Sequence, residues 1–243
     1  MFVKILFRIT CLLLTSLLFA PVALAQSNKR IIYIPLDNRP VSLGYVDETL
    51  TFYGNKLILP PAELIASNQN RGNPDKLMQW LIKESPKADI AVIATESLVY
   101  GGLVASRTHQ EPLGQLLKRA QSLNIIKQTN PRLKIYAFST IMRTPMKSFA
   151  PLEPKYYEQY GSMIFRLTQL MDQEDLNSGY LNSLDRTEKK NMIELIDSDS
   201  LADWFSRRKK NMAVHSFLLE SYAHGSFDFY TIGKDDSAAL SQT

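Results

Sequence analysis

Cysteine is almost missing from this chain: one residue in 243, Cys11. It stands inside an apolar N-terminal run with no lipoprotein-type context. Met1 to Ala25 has the layout of an export signal. Lys4 and Arg8 make a positive start, Ile9 to Phe19 an apolar core, and Ala23-Leu24-Ala25 an A-x-A cleavage pattern. The apolar run is short for a membrane span, so a cleaved signal is expected rather than a stable anchor. Cleavage after Ala25 leaves 218 residues without cysteine, which excludes disulfides, thiol catalysis and cysteine-ligated metal in the mature chain. The expected location is the periplasm or the exterior.

Charge of one sign is also scarce. The formal net charge is +4, from 28 basic and 24 acidic residues. Losing Lys4 and Arg8 leaves 26 against 24, a formal +2. That gives no reason to expect a nucleic-acid partner. Glycine is sparse, and no glycine-rich phosphate loop, nucleophile elbow or internal repeat is present. The expected domain layout is a signal at 1–25 and a single α/β domain at 26–243, truncated at its C-terminus. Truncation is read from the short stretch after Asp235-Asp236-Ser237, where a parallel fold would continue with a helix.

What the chain does contain is short apolar runs alternating with helical patterns. Ala88 to Arg107, ADIAVIATESLVYGGLVASR, is central. Asp89 to Ala94 shows no polar alternation and reads as a strand buried on both faces. Polar groups gather at Thr95-Glu96-Ser97, and Tyr100-Gly101-Gly102 allows a tight turn or a close approach to a ligand. Further strands are expected at Arg30–Leu36, Lys56–Leu59, Lys134–Ser139 and Phe227–Ile232. Helices are expected at Val46–Phe52, from Asn73-Pro74 to Glu84, and at Leu113–Thr129, Pro154–Asp172, Thr187–Ile196 and Ser200–Ala223. Asp199 or Ser200 is the expected cap of the last. The basic run Arg207-Arg208-Lys209-Lys210 reads as a solvated helix face. His215 and His224 read as structural or surface residues, lacking metal-ligand partners at suitable spacing. This alternation predicts an α/β fold with a parallel sheet, as part of a (β/α) barrel or a doubly wound fold.

In such folds the loops beyond the carboxyl ends of the strands meet at one rim. These loops offer Asp37, Asn38 and Arg39; Glu96, Tyr100, Gly101, Gly102 and Arg107; Arg143; and Lys234, Asp235 and Asp236. Arginine forks bind carboxylate or phosphate in a bidentate way. Neighbouring carboxylates can push each other's pKa apart and divide acid and base roles. The same groups could instead form structural ion pairs.

IPLDNRPV (34–41), LILPP (57–61), YGGLVASR (100–107) and GKDDSA (233–238) resemble motifs of a bacterial family, domain-of-unknown-function family 4127. The resemblance runs over nearly all of the mature chain and implies no reaction. Asp235-Asp236 at a strand end is similar to barrel glycosidases that use adjacent carboxylates. On that likeness the chain is expected to be a hydrolase of a carbohydrate or cell-envelope glycan. Asp236 would be acid/base, Asp235 its partner and Glu96 a spare carboxylate. Asp37, Asn38, Arg39, Tyr100, Gly101, Gly102, Arg107, Arg143 and Lys234 would hold the substrate. No cofactor is expected. One alternative is a non-catalytic exported binding protein for an acidic sugar or phosphorylated ligand. Another is a hydrolase with a divalent cation between Asp37, Asp235 and Asp236.

Overall fold

The structure is a computed structural model and describes residues 28–67, 69–146, 148 and 152–234. Five strands form one all-parallel sheet: β1 (Arg30–Ile34), β2 (Lys56–Ile58), β3 (Ile90–Ala94), β4 (Lys134–Ile141) and β5 (Phe229–Lys234). Their spatial order is β2-β1-β3-β4-β5. Among the described residues the sheet is open, flanked by helices and not closed into a barrel, and its strand order is that of a doubly wound fold.

The register sorts the strand residues onto two faces. Ile34 pairs with Ile93, Ile93 with Ala137 and Ala137 with Tyr230. This row, with Ile32, Ala91 and Ile135, faces the main core. Three helices cover that face: α2 (Pro74–Glu84), α5 (Leu113–Thr129) and α8 (Ser198–Ala223). They contribute Leu77, Leu81, Leu116, Leu123, Val214 and Leu218, all sealed from solvent. Spacings of three and four residues put each set on one stripe. Asn73 caps α2 by accepting from Lys76 N at 3.0 Å, with Pro74 in the first turn; both are sequence expectations met.

The opposite face carries Tyr33, Val92, Tyr136 and Phe229 in one row. Here the expectation that β3 is buried on both faces is met in part: none of its residues is exposed, but this face is covered less fully than the other. Val92 is half-buried and Tyr136 and Phe229 are exposed, because α2, α5 and α8 all lie on the other side. The crossover rule for parallel strands puts α1 (Gly44–Phe52) on this second face. Just ahead of it, Ser42 O accepts from the Tyr33 hydroxyl.

Beyond β4 the chain makes α6 (Tyr157–Leu176) and α7 (Ser183–Leu195) before α8. These pack a smaller core around Tyr157, Ile164, Leu167 and Trp204. Two helix starts differ from expectation because side chains further upstream reach the free backbone N–H groups. Asn182 caps α7 through Asp185 N at 2.8 Å, and Asp197, not Asp199 or Ser200, caps α8 through Ser200 N at 2.9 Å. Strand β5 starts two residues late. Asp228 is occupied as an anchor, accepting from Lys127, Lys134 and Ile135 N, and these donors outweigh its partial burial and hold it well below the usual carboxylate range.

Candidate functional site

In an open parallel sheet the chain leaves β1 in one direction to reach β2 and later returns to the other side to form β3. The loops after β1 and β3 therefore part, and a crevice opens at their carboxyl ends. A cavity of about 240 Å³ lies there, lined by Asp37, Arg39, Asn70, Arg71, Gly101 and Thr108 among others. The segments after β1, β2 and β3 build most of it, and Leu152, from the segment after β4, completes the lining.

The loop after β1 is self-pinned. Asp37 is buried and accepts from Arg39 Nε at 2.9 Å and from Arg39 N at 3.1 Å. Burial alone would raise its pKa, but bonds from Arg39 and Ser42 and the Arg39 charge outweigh it and hold Asp37 below the usual carboxylate range. Asn38 N donates to Ala66 O, tying this loop to the one after β2.

Arg71 comes from that β2 loop, which the sequence reading passed over. Its Nε donates to Tyr100 O at 2.6 Å and its Nη2 to Glu111 at 2.8 Å. The signal was available: the polar run Gln69-Asn70-Arg71 also follows a strand, and the same strand-end rule applies to it.

Gly101 and Gly102 serve loop packing more than ligand approach, although Gly101 does line the cavity. Both have positive φ, 89° and 124°. A Cβ on Gly101 would stand 2.7 Å from Gly72 O, and one on Gly102 would stand 2.4 Å from Ala66 Cβ. Gly72 N donates to Gly101 O at 2.8 Å and closes the contact.

Thr95, Glu96 and Ser97 form α3 (Thr95–Val99), a buried turn of helix rather than a solvated loop. Glu96 is fully buried: Oε1 accepts from Thr140 N at 2.6 Å and Oε2 has no partner. Tyr100 is also buried and touches the cavity only through its backbone carbonyl on Arg71. Glu96 and Tyr100 are thus behind the wall, which removes both from direct contact with a ligand in this cavity.

Burial pushes Glu96 up to about 7, with bonds from Thr140 and Thr95 opposing. Unfolded, it would titrate near 4.5. Between those values the unfolded chain sheds the proton while the folded chain keeps it, so this group costs stability as pH rises from 4.5 to 7. His109 and His215 act in the opposite sense. Burial lowers both to about 4, so their contribution is complete above 6.5 and is lost as pH falls towards 4. The Glu96→Gln variant isolates the first effect. Its stability relative to wild type should grow by about 3 kcal/mol between pH 4.5 and 7, by urea unfolding. A difference independent of pH would mean that Glu96 is already ionised when folded.

Arg107, on the short α4 (Ala105–Thr108), and Arg143 converge on Glu153, with Nη1 of the first and Nη2 of the second each 3.1 Å from Oε1. Glu153 was not a sequence candidate. This ion-pair cluster lies beside the cavity, which is bordered by Leu152 and Thr108. Lys234 ends β5, three strand spacings from β1 or about 14 Å, and does not line the cavity. Asp235 and Asp236 lie outside the described residues.

The basic run of α8 is a correction. Three of its four cations hold backbone carbonyls of the strand-end loops: Arg207 that of His109 at 3.0 Å, Arg208 that of Met142 at 2.7 Å, and Lys210 that of Glu111 at 3.1 Å. Lys209 alone is exposed. Asn211 adds a bond to Ser106 O, and its Oδ1 meets His109 Nε2. A face that reads as solvated is turned inward because the loops expose carbonyls that need donors.

These features define an α/β protein with an open parallel sheet and a polar crevice at its switch point. The chain belongs to the family described as "Protein of unknown function (DUF4127)", whose model matches residues 31–243. No curated protein and no solved structure matches it. Among the described residues there is no group of three or more histidine, cysteine, aspartate or glutamate side chains placed to hold a metal ion, and no helix long and apolar enough to cross a membrane.

Proposed function

We propose that the protein binds a small, hydroxyl-rich ligand with one negative charge, an acidic sugar unit of a cell-envelope glycan, in the switch-point cavity. The observation that carries this is the lining itself. Arg39 and Arg71 each keep about two-fifths of the side chain open, and Asp37 is the one carboxylate among the described lining residues. The formal balance of the lining residues is one positive charge, and Arg71 is also paired with Glu111 outside that lining. Ser67, Gln69, Asn70 and Thr108 supply neutral hydrogen-bonding groups, and Leu103, Val104 and Leu152 an apolar patch. Planar amides, arginine forks and a carboxylate suit vicinal hydroxyls, and an apolar patch suits the C–H face of a sugar ring.

Binding without hydrolysis is the better-supported reading. A general acid must hold a proton near neutral pH within reach of the leaving group. Asp37 is held ionised and Glu96 is sealed away. Hydrolysis therefore rests on Asp235 and Asp236, and Asp236→Asn in a wild-type protein that cleaves glycans would be the variant to lose turnover. For binding, Arg39→Ala should weaken the affinity for glucuronic acid about 10- to 100-fold by calorimetry, with most of the loss removed at high salt. Unchanged affinity, or no binding by the wild type, overturns the reading.

A further inference from the structure

The second face of the sheet is closed at one side and open at the other. Over β1 it is closed, and Tyr33 is buried. From β3 to β5 it is open. Val92, Tyr136, Phe138, Phe229 and Thr231 stand there in adjoining rows, and none of them is buried. Tyr136 is 41 % exposed and Phe229 53 %. Among the described residues no helix seals this strip. It is two strand spacings wide, about 10 Å, which is the diameter of one helix.

Helix α1 packs on β2 beside the strip and is apolar on two sides. Val46 and Leu50, one turn apart, are half-buried. Tyr45 and Phe52, two turns apart on another side, are exposed, Phe52 by 82 %. Tyr53 packs edge-to-face on Phe52, with ring centroids 5.3 Å apart. No residue of α1 is buried. A helix with apolar stripes on two sides is covered on both when it is part of a core.

We infer that two copies of this chain associate about a two-fold axis, with α1 of each lying in the open strip of the other. Each copy supplies one helix and one strip, so the contact closes on itself. Area supports a second copy as the occupant. Tyr45, Phe52, Tyr53, Tyr136 and Phe229 leave roughly 600 Å² open per copy, at about 200 Å² for each ring in full exposure. Two copies bring roughly 1,200 Å², where specific interfaces begin. Charge supports it as well. Helix α1 carries Asp47 and Glu48 and no basic residue. The amino end of the strip carries Lys29, Arg30, Arg132 and Lys134 against Asp89 and Asp228. The helix is formally −2 and that end formally +2, so the two attract.

Sedimentation equilibrium of the full chain tests this. At about 10 µM the wild type should be a dimer. Phe52→Lys, on α1, and Phe229→Glu, in the strip, should each raise the dimer dissociation constant at least about tenfold. Phe52→Lys adds a Glu48–Lys pair one turn apart, so α1 itself is kept, and this variant decides the matter if Phe229→Glu fails to fold. Leu184→Glu, at a side chain 80 % exposed on α7, should leave the dimer unchanged. Mixing Phe52→Lys with Phe229→Glu separates this arrangement from other two-fold contacts. In the mixed pair one helix–strip contact is wild type on both sides, so the mixture should associate more tightly than either variant alone. A monomeric wild type overturns the inference and leaves the strip to another partner. So does a dimer that survives Phe52→Lys, one that Leu184→Glu dissolves, or a mixture no tighter than its parts.

Discussion

Gly102→Ala is expected to cost about 2–5 kcal/mol and to lower the melting temperature by roughly 10 °C. Two costs combine at this position. The backbone has φ 124°, a region that residues with a Cβ rarely adopt, and the new methyl would sit 2.4 Å from Ala66 Cβ. Neither neighbour can give easily. Gly102 N is bonded to Glu96 O, and Ala66 O holds Asn38 N. Thermal unfolding measures the loss, and the companion variants divide it. Ala66→Gly added to Gly102→Ala relieves the clash but leaves the φ strain, so it should recover only part. Gly114→Ala, in the first turn of α5 with nothing within 4 Å of its Cβ, should instead stabilise by about 0.5–1 kcal/mol. Should Gly102→Ala melt like wild type, the close approach of the two loops is wrong, and with it the shape of the cavity they enclose.

The second large effect is expected at Arg207. Its side chain is 2 % exposed, although it belongs to a basic run on a helix. It donates to Asp203, to His109 O and to the Tyr156 hydroxyl. Arg207→Met keeps the aliphatic volume and leaves all three acceptors without that donor. Removing one partner of a buried pair typically costs about 3–5 kcal/mol. Asp203 is a little over a quarter open to solvent, which lowers the expectation to about 2–4 kcal/mol. Lys209→Met, two positions on, should stay within about 0.5 kcal/mol. Urea unfolding of the two variants side by side gives the comparison. Because His109 follows Thr108 directly, Arg207→Met should also loosen the Thr108 side of the switch-point cavity and weaken ligand binding. Equal stability of both variants would return the basic run to the solvated face that its sequence suggests.

The sequence by itself determined the class of the fold. Short apolar runs alternating with helical stripes admit a parallel sheet and little else, and the core faces of α2 and α5 follow from residue spacing alone. The rim argument was legible too. Asp37, Arg39 and Gly101 line the cavity because each follows a strand, and strands that run parallel end on one side. Membership of the family was also readable, from YGGLVASR and the other short motifs.

Three things were decided only by tertiary structure. The first is open sheet or barrel, which depends on strand order; local pattern is the same in both. The second is which polar groups face the ligand. Glu96, Tyr100 and Arg39 all read as strand-end polar residues. Burial then sends the first two behind the wall and leaves Arg39 at the cavity, because α3 continues the chain inward where the loop after β1 turns out. The third is the partner of each charge. Glu153 with Arg107 and Arg143, and Arg71 with Glu111, join residues ten or more positions apart in the chain. An ion pair depends on distance in space, and sequence spacing carries that distance only within a helix, a strand or a tight turn such as Asp37 to Arg39. The crevice is therefore where local pattern stops informing: it is formed between segments that follow four different strands, and of its charges only the Asp37–Arg39 pair is made within one loop.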